Sequence, residues 1–143
     1  MKIKIVNKSK NELPKYQTEG SSGMDLQANI EEPIVLKSLD RTLIPTGLFI
    51  ELPNGYEAQV RARSGLALKK GLSLPNGIGT IDSDYRGEIK VIIINLGKED
   101  VIINPGDRIA QLVIIKYERV ELDIVNELNE TDRESGGFGH TGV

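Results

Sequence analysis

The stretch EIKVIIINL, from Glu88 to Leu96, decides the fold class. Isoleucine and valine dominate it, and side chains branched at Cβ suit a pleated backbone better than a helix. The same character returns in KIKIV (Lys2 to Val6), TGLFIEL (Thr46 to Leu52), YEAQVRAR (Tyr56 to Arg63) and DRIAQLVIIKYERVEL (Asp107 to Leu122). Between these runs lie turn signals: LPNG starting at Leu52 and again at Leu74, NLGKED at Asn95 and NPGD at Asn104. Many short strands at this spacing predict an all-β sandwich or barrel. VIIIN and LVIIK are apolar without interruption, so both faces of those strands are expected to be covered, either by central placement or by a second subunit.

One segment departs from the period of two. RSGLALKKG, Arg63 to Gly71, predicts a single short helix, capped by Ser64, with Lys69 and Lys70 at its negative end and Gly71 as its stop. The C-terminal stretch differs again. ELNETDRE (Glu127 to Glu134) is polar, and SGGFGHTGV (Ser135 to Val143) surrounds one phenylalanine with glycines. Such a segment builds no core, which predicts a β-core over 1–126 and a flexible arm over 127–143.

Composition excludes several chemistries. A chain of 143 residues holds one hydrophobic core. Its net charge of −3 gives no reason to expect nucleic-acid binding. Cysteine is absent, which removes disulfides and thiolate metal sites. The one histidine, His140, is too few for a histidine metal cage or a core Ser-His-Asp triad. A hard cation held by oxygen is the metal chemistry left open. No run is long enough to cross a membrane and no signal-peptide pattern opens the chain, so a cytoplasmic protein is expected.

Against that background, GTIDSDYRGEI (Gly79 to Ile89) stands out. Read with NGI before it, it predicts a hairpin with exposed main-chain groups. Glycines 77 and 79 permit close approach of a ligand, Asp82 offers a general base toward water and Tyr85 a flat face with a polar tip. A solvated acidic turn explains the same residues equally well. Arg63 and Ser64 open the short helix as a phosphate seat or an ordinary cap. Asp25, in SSGMDLQA, needs a partner, either Arg63 or metal-bound water, unless it closes an Asx turn. Gln111 interrupts an apolar strand, which marks a site or simply an outward position. RESGGFGHTG lacks the Gly-Lys-Ser/Thr ending of a P-loop, leaving a loose tail or one that orders over a nucleotide.

Five elements follow one another in fixed order: SGMDL, RSGLA, GTIDSDYRGE, GDRIAQL and RESGGFGHTG. Together they resemble the five motifs of the trimeric dUTPases, from Ser22 to Gly142. That resemblance implies a distorted β-barrel of the jelly-roll kind and a homotrimer whose three sites each draw on three chains. It implies hydrolysis of dUTP to dUMP and pyrophosphate with Mg²⁺ on the triphosphate. Such an activity limits uracil incorporation into DNA and supplies dUMP for thymidylate synthesis. By the same resemblance Asp82 activates the attacking water and Tyr85 lies under the deoxyribose. Asn76 and backbone groups around Gly79, Thr80, Ile81 and Lys90 read uracil, and Phe138 closes over it. Arg63, Ser64, Gly65, Gln111, Arg133, Gly139, His140 and Thr141 hold phosphates, and Asp25 acts through metal-bound water or through Arg63. Ala62 stands where many relatives have proline, and His140 where serine or threonine is common.

Two other functions share parts of this pattern. A dCTP deaminase has the same fold, but the intact IDSDYRG segment and the Gly-Phe-Gly arm argue against it. A nucleotide-responsive regulator of protein partners normally needs inserted segments, and this compact chain shows no obvious insert.

Overall fold

The computed structural model describes residues 1–138, so the calls on Gly139, His140 and Thr141 lie outside the described residues. Among the described residues, ten strands and one short helix are formed. One four-stranded antiparallel sheet has the order β1 (Lys4–Asn7), β4 (Arg41–Glu51), β8 (Ile89–Asn95), β6 (Leu72–Ser73). A second has the order β2 (Gly23–Gln27), β10 (Arg108–Lys116), β5 (Tyr56–Arg61), β7 (Gly79–Ile81). A ribbon of β3 (Ile34–Leu36) and β9 (Val101–Ile103) completes the fold. The all-β class is as expected, but the sheets do not close into a barrel: β1, β6, β2 and β7 remain as edges among the described residues.

A single core joins the sheets. Ile44, Val91 and Ile93 come from the first, Leu26, Ala58, Val60 and Leu112 from the second, and Leu36 and Ile103 from the ribbon. Burying each of the valine, leucine and isoleucine side chains stabilises the fold by about 1.5–3 kcal/mol relative to exposure. Buried Asn95 binds the ribbon to β8. Its Nδ2 donates to the Leu36 and Glu99 carbonyls, and its Oδ1 accepts from Gly97 N–H. Both amide hydrogens and the amide oxygen thus have partners, as burial requires.

Strand β4 carries a bulge at Pro45–Thr46–Gly47, where its register with β8 shifts. Proline has no N–H for a ladder, so an irregularity is where a strand tolerates it. Gly47 has φ +71°, and a Cβ there would lie 2.7 Å from Ser9 Cβ. Thr46 Oγ1 donates to the Ile89 carbonyl at 2.6 Å, and Gly47 N–H donates to Glu88 Oε1 at 2.8 Å. The bulge therefore fixes the start of β8.

Two expectations change, and a third is left to a second subunit. The segment around Asp82 is not a self-paired hairpin: β7 pairs with β5, β8 pairs with β4, and residues 82–88 cross between the sheets. In helix α1 (Ser64–Lys70) the N-cap position falls on Arg63, not Ser64, and carries no side-chain capping bond, although Gly71 (φ 68°) ends the helix as expected. Burial of β8 alternates. Its outer face leaves Ile92 exposed opposite the likewise exposed Leu43, so the chain alone does not cover both faces. No helix among the described residues is long and apolar enough to cross a membrane.

Candidate active site

Two constellations emerge, and they occupy different places. The first is a cleft of about 300 Å³ lined by Leu43, Thr80, Ile81, Asp82, Tyr85, Glu88, Ile89 and Lys90. It lies where the free edge of β7 and the first half of β8, which has a strand partner on one side only, come together across residues 82–88. Open strand edges present unpaired N–H and C=O groups, so this cleft offers main-chain donors and acceptors to a flat polar ring.

The crossing loop is held from within. Tyr85 N–H donates to the Asp82 carbonyl at 3.1 Å, closing a turn. Arg86 Nη1 donates to the carbonyls of Ser83 and Tyr85. Tyr85 Oη donates to the Glu88 carbonyl at 3.1 Å. The exposed Asp82 carboxylate makes no side-chain hydrogen bond or ion pair among the described residues, which leaves it available to accept a proton from water. Asn76 lies close by: its Nδ2 is 3.4 Å from where a Cβ on Gly79 would stand.

The second constellation sits on β2, β10 and the entry to α1. Asp25 faces Gln111 across the β2–β10 ladder, and Gln111 faces Arg61 on β5. Asp25 Oδ1 is 2.9 Å from Arg63 Nε, and its Oδ2 is 3.2 Å from Arg108 Nη1. Arg63 Nη1 also donates to the Arg108 carbonyl. Gln111 Nε2 donates to the Ala62 carbonyl at 2.9 Å, which turns its side chain toward the same corner. Ser64 and Gly65 follow Arg63 in the first turn of α1, where N–H groups have no intrahelical acceptor. Two guanidiniums against one carboxylate leave a net positive corner suited to an anion.

The chain does not bring the two constellations together. Ile81 pairs with Ala58, so Asp82 is level with Glu57 near the start of β5, while Gln111 pairs with Arg61 at its end. That is about 13 Å along the strand, and the three strand spacings from β7 to β2 add about 14 Å across the sheet. Asp82 and Asp25 thus stand at diagonally opposite corners, roughly 20 Å apart on this geometry. Arg133 and Phe138 are in neither constellation. Arg133 Nε donates to the Gly136 carbonyl within the C-terminal segment, and Phe138 is fully exposed.

Sequence reasoning missed Arg108 and Glu88. Both lie inside the quoted motifs, but their roles depend on partners, Asp25 and Gly47, that are remote in sequence. Among the described residues no three His, Cys, Asp or Glu side chains converge to hold a metal.

Comparison with known proteins agrees with this geometry. A family model described as dUTPase matches residues 9–142. The deoxyuridine 5'-triphosphate nucleotidohydrolase of Finegoldia magna is 61% identical over 142 residues, covering 99% of each chain. That of Rickettsia felis is 57% identical over 143 residues, covering 100% of this chain and 97% of the relative. The dUTPase of Staphylococcus bacteriophage 80alpha, solved with dUpNHpp, superposes with a TM-score of 0.85 at 26% identity over 99% of both chains. With its strand-edge cleft, its arginine-braced corner and near-complete coverage by these relatives, the chain belongs to the dUTPase family.

Proposed function

We propose that this enzyme hydrolyses dUTP to dUMP and pyrophosphate in sites assembled from three copies of the chain. One copy supplies the strand-edge cleft, a second the Arg63–Gln111 corner, and a third the arm, residues 127–143. The observation that carries this reading is the roughly 20 Å between the corners bearing Asp82 and Asp25. Within one chain a water held at Asp82 and a phosphate held at Arg63 are too far apart to react. Between copies the corners can be adjacent. The exposed Leu43–Ile92 pair beside the cleft supports the same reading, because contact with a second copy buries it.

In the cleft, main-chain groups of Gly79, Thr80, Ile81 and Lys90, with Asn76, take the uracil edge. Uracil presents an N3–H donor beside an O4 acceptor, and cytosine reverses that pattern. Each mismatched buried bond costs about 1–3 kcal/mol. Tyr85 lies under the deoxyribose and leaves no room for a 2'-hydroxyl. Arg63, Ser64, Gly65 and Gln111 hold phosphate oxygens, joined by Arg133, Gly139, His140 and Thr141 of the arm, while Phe138 covers the base. The Asp82 carboxylate takes a proton from water as the water oxygen bonds to the α-phosphorus. The bond from that phosphorus to the bridging oxygen breaks, and pyrophosphate departs with its electron pair. Closure of the arm excludes bulk water and aligns the reactants.

No carboxylate cage forms among the described residues, so Mg²⁺ would be held mainly by the substrate's triphosphate, beside the arginine corner that Asp25 braces. Such a cation would supply partial neutralisation of the charge that develops in the transition state. Asp25, with each oxygen already against a guanidinium, acts through Arg63 and Arg108. The activity keeps uracil out of DNA and provides dUMP for thymidylate synthesis in the cytoplasm.

Subunit mixing tests the shared site. Asp82→Asn and Arg63→Ala chains are each expected to be nearly inactive toward Mg–dUTP. Dissociated and reassembled together, they should regain activity, because some sites then receive an intact half from each. No recovery in verified mixed trimers would place both halves of a site on one chain.

A further inference from the structure

Tyr85 is 47% exposed, yet its ring has a defined seat. Its Oη is tied to the Glu88 carbonyl at 3.1 Å, and the chain passes beneath it at Gly87. A Cβ built on Gly87 would fall well inside contact distance of Tyr85 Oη and Cζ, and 2.8 Å from Cε2. Real Cβ atoms do not approach so closely, so the ring occupies the space a side chain would take. Gly87 does not have a φ in the left-handed region. Its backbone would accept alanine, and what glycine supplies here is only the missing side chain.

The seat is rigid on its other side. The carbonyl that receives the phenol belongs to Glu88, whose carboxylate accepts from Gly47 N–H at the β4 bulge. The next carbonyl, of Ile89, accepts from buried Thr46 Oγ1. The ring therefore rests on a segment pinned to a core strand, and two contacts set its level: room at Gly87 and an acceptor at Glu88.

We propose that Gly87 is a specificity-determining positioning residue, setting the level of the Tyr85 ring and through it the discrimination between deoxyribose and ribose. This rests on the reading that Tyr85 lies under the sugar. A Cβ at position 87 lifts the phenol off the Glu88 carbonyl, and the ring no longer holds one position against a 2'-hydroxyl.

The test compares kcat/KM for dUTP and UTP, with thermal unfolding in parallel. Gly87→Ala should lower the dUTP-to-UTP ratio by about tenfold or more, chiefly through a raised kcat/KM for UTP, with unfolding little changed. In a Tyr85→Ala background the same substitution should have almost no further effect, since the residue acts through the ring. Tyr85→Phe, which removes only the bond to Glu88, should lower the ratio in the same direction and serves as the second variant if Gly87→Ala folds poorly. A wild-type ratio in folded Gly87→Ala, or an equal effect in both backgrounds, would overturn the proposal alone. An unchanged ratio in Tyr85→Ala would overturn the sugar-floor reading and the proposal with it.

Discussion

Arg63 Nε stands 2.9 Å from Asp25 Oδ1, and the opposite oxygen of that carboxylate faces Arg108 at 3.2 Å. One acidic side chain thus braces two basic ones from different elements, the entry to α1 and the start of β10. The Asp25 side chain is only 18% exposed, so its attraction to the arginines is less screened than at an open surface.

Asp25→Asn keeps the shape of that brace and removes its charge. The two guanidiniums then repel without a counter-charge. Stability should fall by about 2 kcal/mol, allowing for the solvent exposure of Arg108. Binding of a non-hydrolysable deoxyuridine triphosphate should weaken as the arginines lose their fixed positions. Urea denaturation and calorimetric titration read the two effects separately. A variant with unaltered stability and affinity would mean that the brace does not organise the corner.

Asp82 presents the opposite case. Its exposed carboxylate has no side-chain partner among the described residues, so the fold does not depend on it. Asp82→Asn should leave stability within about 0.5 kcal/mol of the parent. Nucleotide binding should persist, while turnover should fall by about 10²-fold or more with loss of the proton acceptor. Pyrophosphate release under saturating Mg–dUTP measures the loss. Undiminished release would remove Asp82 from its role.

The strands were legible because a pleated backbone writes period two into the chain. EIKVIIINL became β8 with its inward residues Ile89, Val91, Ile93 and Asn95 at alternate positions. The short helix was legible from Gly71 and its lysines. The pairing was not. Local residues around Asp82 suggest a hairpin, but β7 and β8 pair with β5 and β4, and those partners are specified elsewhere in the sequence. The pattern starting at Asp107 runs to Leu122, yet β10 ends at Lys116, because Val120 and Leu122 meet no sheet within the chain. The motifs located Asp25, Arg63, Asp82 and Gln111, while the brace by Arg108 and the seat at Gly87 required side chains in three dimensions.

Thr46 ties the bulge of β4 to the floor of the cleft. Thr46→Val preserves volume and removes Oγ1, leaving the Ile89 carbonyl and Leu48 N–H without that partner in a buried site. A loss of about 1–3 kcal/mol is expected from the unsatisfied groups. Since Ile89 borders the cleft, KM for dUTP should also rise more than kcat falls. Denaturant midpoints and steady-state kinetics on one preparation check both. Parent-like stability would show that the bulge does not depend on this bond.

The described residues of the C-terminal segment contribute nothing to the core. Beyond Lys116 no strand or helix forms among the described residues, and the buried hydrophobic residues all precede it. Deleting Ser135 to Val143 should therefore leave the unfolding transition and the assembly state unchanged. Phe138 and the arm residues proposed to hold phosphate would be gone, and with them the proposed closure over the nucleotide. The reactants would then be held less exactingly, a defect worth about 10²-fold in rate. Light scattering, thermal unfolding and pyrophosphate release on the truncated chain distinguish the two contributions. Full turnover by a stable, assembled truncation would mean that the cleft and the arginine corner suffice, and that no arm closes over the substrate.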